Sequence, residues 1–325
     1  MTRSYRCCLS LLALILFAPS TSAIAQAYPN KPIRLVVADA PGGAPDQLGR
    51  LLAQKLGEGL GQQVIVDNRA GAGGVLGAEM VAKSQADGYT LLLTTTAVYA
   101  ILPNLRKDLP YDPVRSFVPI SRIATASNVL VVNVDVPAKS MAELVKLAKD
   151  KPGVLNYASA GVGTPAHLAG EMLNLLADIK VTHVPYKGAA PALLDVIAGN
   201  AQYIITSPIA AGAHLSGGRV RALATTGAER NPGLPDLPTI GSTVPGYEIS
   251  QTWGIVAPAG TPPEIVARLS DEIVKAMNLA DVKERVLKTG AAPIGDRPAD
   301  FAAFMGNERQ RLGDVITRSG IVLTD

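Results

Sequence analysis

The chain has 325 residues, with 30 Lys and Arg against 27 Asp and Glu, three His, two Cys and a hydrophobic fraction of 48%. So even a charge balance excludes recognition of nucleic acid or an anionic membrane by overall charge, because both demand a large basic excess. The length is generous for one hydrophobic core and comfortable for two, so two domains are expected.

The N-terminal segment carries Arg3 and Arg6, an apolar stretch from Leu9 to Ala18, and then Ala25-Gln26-Ala27, small residues flanking one position. This is the pattern of a cleavable secretory signal peptide over 1–27, and its apolar stretch falls short of the ~20 residues of a membrane span. Cys7 and Cys8 precede that stretch, whereas a lipoprotein attachment cysteine follows it. Cleavage after Ala27 removes both and leaves 298 residues with 28 basic and 27 acidic side chains. The mature protein then has no disulfide, thiolate nucleophile or cysteine metal site. A soluble protein exported to the periplasm is expected.

From Lys31 onward strand-like and helix-like segments alternate. IRLVVAD is a buried strand, and Asp46 to Leu60 is a helix with Leu48, Leu51, Leu52 and Leu56 on one face. QQVIVDN is a strand, NRAGAGGVLGAEMVAKS a glycine turn and helix, and YTLLLTTT a further apolar strand of the kind found in parallel sheets. A proline-rich passage, LPNLRKDLPYDPVRSFVPI, interrupts the rhythm and leads into SNVLVVNVD, a strand suited to crossing between domains. The alternation restarts with MAELVKLAKD as a helix, VLNYASA as a strand, Thr164 to Leu176 as a helix, KVTHVPY as a strand, PALLDVIAG as a helix and QYIITS as a strand. After RVRALATTG and a Pro- and Gly-rich loop from Asn231 to Gly246, ISQTWGIVAPAG is the return crossing. Two helices, Pro263 through Met277 and about Pro298 through Thr317, finish the chain and are expected to dock on the first domain. This is an α/β layout.

Two loops stand out, because each follows an apolar strand and opens a helix: Asp39 to Asp46 and Ser159 to Thr164. A helix N-terminus leaves backbone N–H groups unpaired and carries about half a positive charge, so it stabilises a carboxylate without a nearby Lys or Arg. In the first loop Pro41, Gly42, Gly43 and Ala44 bring bare backbone forward, and Asp46 is placed to cap the helix; ordinary strand-to-helix punctuation explains one such loop equally well. In the second, Thr164 is a good N-cap and Pro165 a good first helical residue, with Ser159, Gly161, Gly163 and His167 directed to the strand end. His167 is otherwise a surface residue of the first turn. Tyr186 and Lys187 form a third edge, where Lys187 either neutralises a ligand charge or is a solvated lysine on a turn; Thr95, Thr96 and Ser207 close two further strands, and His183 is a core or satisfied polar group.

NRAGAGGVLGAE has Leu76 where a dinucleotide fingerprint needs its third glycine, so these glycines serve close packing. There is no G-x-S-x-G, H-E-x-x-H or P-loop, and the three histidines are scattered at 167, 183 and 214. No catalytic residue, metal or cofactor is assigned. An exported hydrolase or isomerase using cleft carboxylates is the rival from another class.

The ordered phrases VVADAPGGAPDQLGR, DNRAGAGGVLGAE, LPYDPVRSF, SAGVGTPAHLAGE, HVPYKGAAPALLDVIAG, RVRALATTGAERNPGLPDLPTI and WGIVAPAGTPPEIVARL span the whole mature chain. In them it resembles the extracytoplasmic solute receptors of tripartite tricarboxylate transporters, the Bug-type receptors. The resemblance implies an α/β fold similar to type II periplasmic binding proteins, two lobes joined by two crossing strands with a ligand cleft between them. Lobe I is then 28–127 with 250–325 and lobe II 128–249, the lobes closing about Val129 to Val132 and Ile249 to Gly254. It implies a monomeric receptor for a small organic anion, a mono- or dicarboxylate or an amino acid, delivered to membrane permease subunits. The resemblance further implies that the carboxylate lies against Pro41 to Asp46 and that loop 159–164 completes the enclosure through backbone N–H groups and bound water. A sensor receptor for a histidine kinase would use the same pocket. The chain departs from the family pattern at Ala38 and Asp39, at Pro45 in place of Thr, at Tyr99 and Leu102, and at Gln202, all expected around the pocket; Asp39 facing the cleft would favour an amino group.

Overall fold

The computed structural model describes residues 28–39, 41–162, 164–186, 189–231 and 233–320. The expected signal peptide with Cys7 and Cys8, and the candidate residues Gly163 and Lys187, lie outside the described residues. The chain runs β1 (Ile33–Val37), α1 (Ala44–Leu60), β2 (Val64–Asn68), α2 (Val75–Ala82), β3 (Thr90–Thr95), then a π-helical turn (Ala97–Ile101) continuing into α3 (Leu102–Leu105). Next come β4 (Phe117–Ser127), β5 (Val129–Asn133), α4 (Met141–Asp150), β6 (Asn156–Ser159), α5 (Pro165–Ala177), β7 (Thr182–Pro185), α6 (Ala189–Ile197), β8 (Tyr203–Thr206), α7 (Pro208–Ser216) and β9 (Val220–Thr225). β10 (Ser250–Pro258), α8 (Pro263–Met277), α9 (Ala280–Lys288), β11 (Ala292–Pro293) and α10 (Pro298–Ser319) complete it.

Two sheets result, a six-stranded one in the order β11-β4-β10-β3-β1-β2 and a five-stranded one in the order β7-β6-β8-β5-β9. β1 is parallel to both its neighbours, and β6 to both of its own. Their continuous apolar runs follow from burial on both faces: Ile33, Leu35, Val36 and Val37 are fully buried, as are Tyr157 and Ala158.

Where the sequence suggests one crossing strand over 127–135, the structure has two strands in two sheets with Asn128 alone between them. β4 also begins at Phe117, inside the proline-rich passage. Its Pro119 pairs with Val256 beside a register shift in the β4–β10 ladder, where the missing N–H disturbs the ladder least. That irregularity hides the strand from a reading by periodicity. α7 and α9 were also not anticipated, so three helices follow β10; in α9 only Val282 and Val286 are buried.

Register fixes where the sheets meet. Thr95, ending β3, lies opposite Trp253 near the start of β10, and Ser127, ending β4, lies opposite Ser250. Two residues later Val129, opening β5, faces Thr206, which ends β8. The carboxyl ends of the parallel strands in both sheets therefore point at one seam. Across it Asn128 N–H donates to Thr226 Oγ1 at 2.8 Å, Thr226 N–H to Asn128 O at 2.9 Å and Ile249 N–H to Thr226 O at 2.9 Å.

An apolar cluster spans the seam on one side, joining Val36, Leu92 and Tyr99 to Leu130, Tyr157, Leu173, Tyr203 and Tyr247 through Phe301, Leu312 and Ile316 of α10. α10 thus packs on β4 and also on α5. Tyr247 Oη donates to Ala169 O at 3.0 Å beneath it. A second cluster lies between the six-stranded sheet, α1 and α8, and a third between the five-stranded sheet, α6 and α7.

Candidate functional site

Each parallel strand at the seam ends in a turn that opens a helix. α1 begins after N-cap Gly43, α5 after Thr164 and α7 after Ser207, each with proline in its first two positions. Proline has no N–H to orphan there and holds φ near the helical value. In α/β sheets such carboxyl edges at a change of connection receive ligands.

In the first loop Gly42 takes φ +87°, a conformation that favours glycine, and a Cβ there would meet nothing within 4 Å. Asp46 is not the N-cap. It sits at the third helical position, is 4% exposed, and turns its carboxylate back to accept Gly42 N–H at 2.9 Å. Arg50 straddles the same group, Nε donating to Oδ2 at 3.0 Å while Nη2 lies 3.0 Å from Oδ1 as an ion partner outside hydrogen-bond alignment. Burial acts to raise the Asp46 pKa, but Arg50, the Gly42 N–H and Asn68 outweigh it and hold it below the usual carboxylate range. The side chain of Asp46 therefore braces the loop rather than facing solvent, and Arg50 cancels a charge that would repel an incoming anion. Gly43, Ala44 and Asp46 N–H have no hydrogen-bond partner among the described residues. Pro41, Gly42 and Gly43 are exposed. Asp39, half-buried, accepts Asn68 Nδ2 on its carbonyl at 3.2 Å. Beneath, a Cβ on Gly77 would lie 2.9 Å from Ala38 Cβ, so the glycine-rich run packs α2 against the first loop.

In the second loop Thr164 caps α5 as expected, Oγ1 accepting His167 N–H at 3.3 Å and donating to Gly161 O at 2.7 Å. Gly161 has φ +133°, and a Cβ there would press on Tyr186 O at 3.3 Å. Ser159 is fully buried; its Oγ accepts Gly161 N–H at 3.1 Å and meets His183 Nε2 at 2.6 Å. Val162 and Ala166 N–H have no partner among the described residues. His167 is 6% exposed and stacks on His183, ring centroids 4.0 Å apart, so its ring lies under the loop rather than on the surface. Burial lowers the His167 pKa against the pull of Glu171; burial and then His167 push His183 down to about 4. Tyr186 Oη is bound to Asp195, and burial with that partner pushes it up to about 12.

The remaining candidates frame the seam. Thr96 is 1% exposed, its Oγ1 accepting Thr252 N–H at 2.9 Å, so it ties β3 to β10. Thr95 is 8% exposed. Ser207 is exposed and caps α7 by accepting Ala210 N–H at 3.2 Å. Three departures from the family pattern are tied down by packing or by hydrogen bonds. Tyr99 is buried with its ring edge-on to Phe301 at 6.3 Å, Leu102 is buried in the same cluster, and Gln202 Oε1 accepts Asn156 N–H at the amino end of β6, opposite the loops. A cavity of about 400 Å³ at the seam, lined by Arg122, Ser127, Asn231, Glu248, Gly290 and Phe304, includes none of the loop residues. Among the described residues no group of three His, Cys, Asp or Glu is placed to hold a metal ion, and no helix is long and apolar enough to cross a membrane.

Sequence reading left out Arg50 and took His183 only as a core or satisfied polar group, which its bond to Ser159 agrees with. Arg50 was accessible as the i+4 partner of Asp46, whereas His183 meets Ser159 only through the pairing of β6 with β7.

Residues 48–321 match the model of the tripartite tricarboxylate transporter family receptor. BugT of Bordetella pertussis is 35% identical over 320 residues, 96% of this chain and 98% of that protein. A protein of R. palustris solved with adipate is 35% identical, with TM-score 0.79, over 91% of this chain and 99% of that one. MatC of Rhodopseudomonas palustris, solved with bound malate, is 30% identical with TM-score 0.74 over 89% and 100%. The fold is thus that of periplasmic binding proteins related to BugD, which it matches at TM-score 0.75 and 31% identity.

Proposed function

The chain belongs to the tripartite tricarboxylate transporter receptor family, a family of periplasmic solute-binding receptors and not of enzymes, and from that premise we propose that it captures a small organic carboxylate between loops 39–46 and 159–164 and delivers it to a membrane permease. The observation that carries the reading is the set of main-chain N–H groups without a partner among the described residues, Gly43, Ala44 and Asp46 from one sheet and Val162 and Ala166 from the other, at strand ends directed to one seam. Amides at a helix start favour an anion, and those of two helices can share one carboxylate or take the two ends of a dicarboxylate. The adipate and malate in the two solved relatives support the dicarboxylate class.

Capture closes the two lobes, 28–127 with 250–325 against 128–249, about Asn128 and the segment before Ser250. Solute bound to both loops stabilises the closed population by its preference for that state. A thermal-shift screen of mono-, di- and tricarboxylates and amino acids tests the class. A dicarboxylate is expected to raise the melting temperature by mass action, and stabilisation by amino acids alone would place the specificity in Asp39 instead.

A further inference from the structure

His183 stands in β7, outside both loops, yet its Nε2 lies 2.6 Å from Ser159 Oγ. That oxygen also accepts Gly161 N–H at 3.1 Å and lies 3.1 Å from Gly161 O. A hydroxyl has one hydrogen and two acceptor positions, so it takes the Gly161 amide and either donates to His183 or receives from it while donating to the Gly161 carbonyl. In both arrangements a residue of the sheet holds the hydroxyl that holds the loop.

The imidazole is itself fixed. It is sandwiched between His167, at 4.0 Å and 13°, and Tyr157, at 4.9 Å and 25°; Tyr203 stacks beyond Tyr157 at 5.6 Å. Tyr157 Oη donates to Glu171 Oε1 at 2.7 Å, which anchors the ladder to α5. Four rings thus run from the core to the underside of Gly161, the position where the chain turns towards the amides of Val162 and Ala166.

We propose that His183 is a positioning residue of the second solute-binding loop: by holding the Ser159 hydroxyl it fixes the Gly161 amide and carbonyl, and with them the direction of the Val162 and Ala166 N–H groups that follow. The assignment of the loop to solute rests on the reading above; the coupling of His183 to Gly161 does not, and it is measured without solute.

The experiment is amide hydrogen exchange at Gly161 by NMR, in the protein and in Ser159→Ala, His183→Phe and His183→Gln. Phe keeps the stack and removes the nitrogen, whereas the Gln amide places a donor or acceptor where Nε2 stands. Exchange at Gly161 is expected to quicken about tenfold in S159A and H183F and to return to within about threefold of the parent rate in H183Q. Parent-like exchange in H183F beside fast exchange in S159A would overturn the proposal. Should H183F not fold, the side-chain nitrogen shift of His183 decides: it moves in S159A if the pair is coupled, and an unchanged shift removes the coupling. With adipate as probe, H183F should bind more weakly than H183Q; no binding by any of the four proteins speaks against the solute reading and leaves the exchange result standing.

Discussion

Ala44 is the residue on which the anion reading can be tested most cleanly. It is the first helical residue of α1, its N–H has no partner among the described residues, and Gly43 before it is extended at ψ 172°. Proline is accepted at that position and after an extended residue, so Ala44→Pro should keep the fold while deleting one donor. A hydrogen bond to a charged group is worth about 1.5–3 kcal/mol, so calorimetry should show roughly a 10- to 100-fold loss of affinity with little change in melting temperature. Affinity equal to the parent would place the anion elsewhere. The paired imidazoles yield a second prediction. Their pKa values are depressed in the folded protein, His183 to about 4, from an unfolded value of about 6.5. Below pH 6.5 the unfolded chain binds protons that the folded one refuses, so stability falls as the pH drops from about 6.5 towards 4. Melting scans should show this slope, flattened in His183→Gln. How far residues were legible follows the range of their interactions. Thr164 and Pro165 declared the start of α5 because caps act within one turn, whereas the role of Asp46 was misjudged: its partner is the Gly42 amide, and its place in the helix depends on where α1 begins, at Ala44.

Elements were legible where burial on both faces or one amphipathic stripe left a period in the sequence, as in β1, α1 and α4. β4 was not, because Pro119 at its bulge reads as a breaker although the strand continues around it. α5 carries two tests at this scale. Thr164→Ala loses the cap to His167 N–H and the bond to Gly161 O, and should cost about 1 kcal/mol of stability by denaturant titration. Further along the same helix, a Cβ at Gly170 would stand 2.2 Å from Tyr157 Cε2. Gly170→Ala should therefore cost about 1–3 kcal/mol as an overpacked core, and it should loosen the ring ladder beneath the second loop. A variant as stable as the parent would mean that Tyr157 can shift, and the ladder would not be rigid.

At the scale of the molecule, two sheets share a seam at which the chain changes sheet in one residue, Asn128, and returns just before Ser250. So short a crossing restricts relative motion to a few backbone dihedrals. The apolar cluster around α10 spans one side of the seam and would give the proposed closure a packed pivot. The alternating α/β pattern and two-fold repetition of loops were legible in the sequence, since they are set locally; the docking of α10 on α5 was not, since it joins segments more than a hundred residues apart. Small-angle scattering should record a smaller radius of gyration with a tight-binding carboxylate than without it. The decisive measurement is a crystal structure of the protein with the carboxylate that most raises its melting temperature. The predicted result is carboxylate oxygens within hydrogen-bond distance of main-chain N–H groups of both 43–46 and 161–166. A solute held by side chains alone, or seated in the cavity at Arg122 and Glu248 with those amides untouched, would contradict the account.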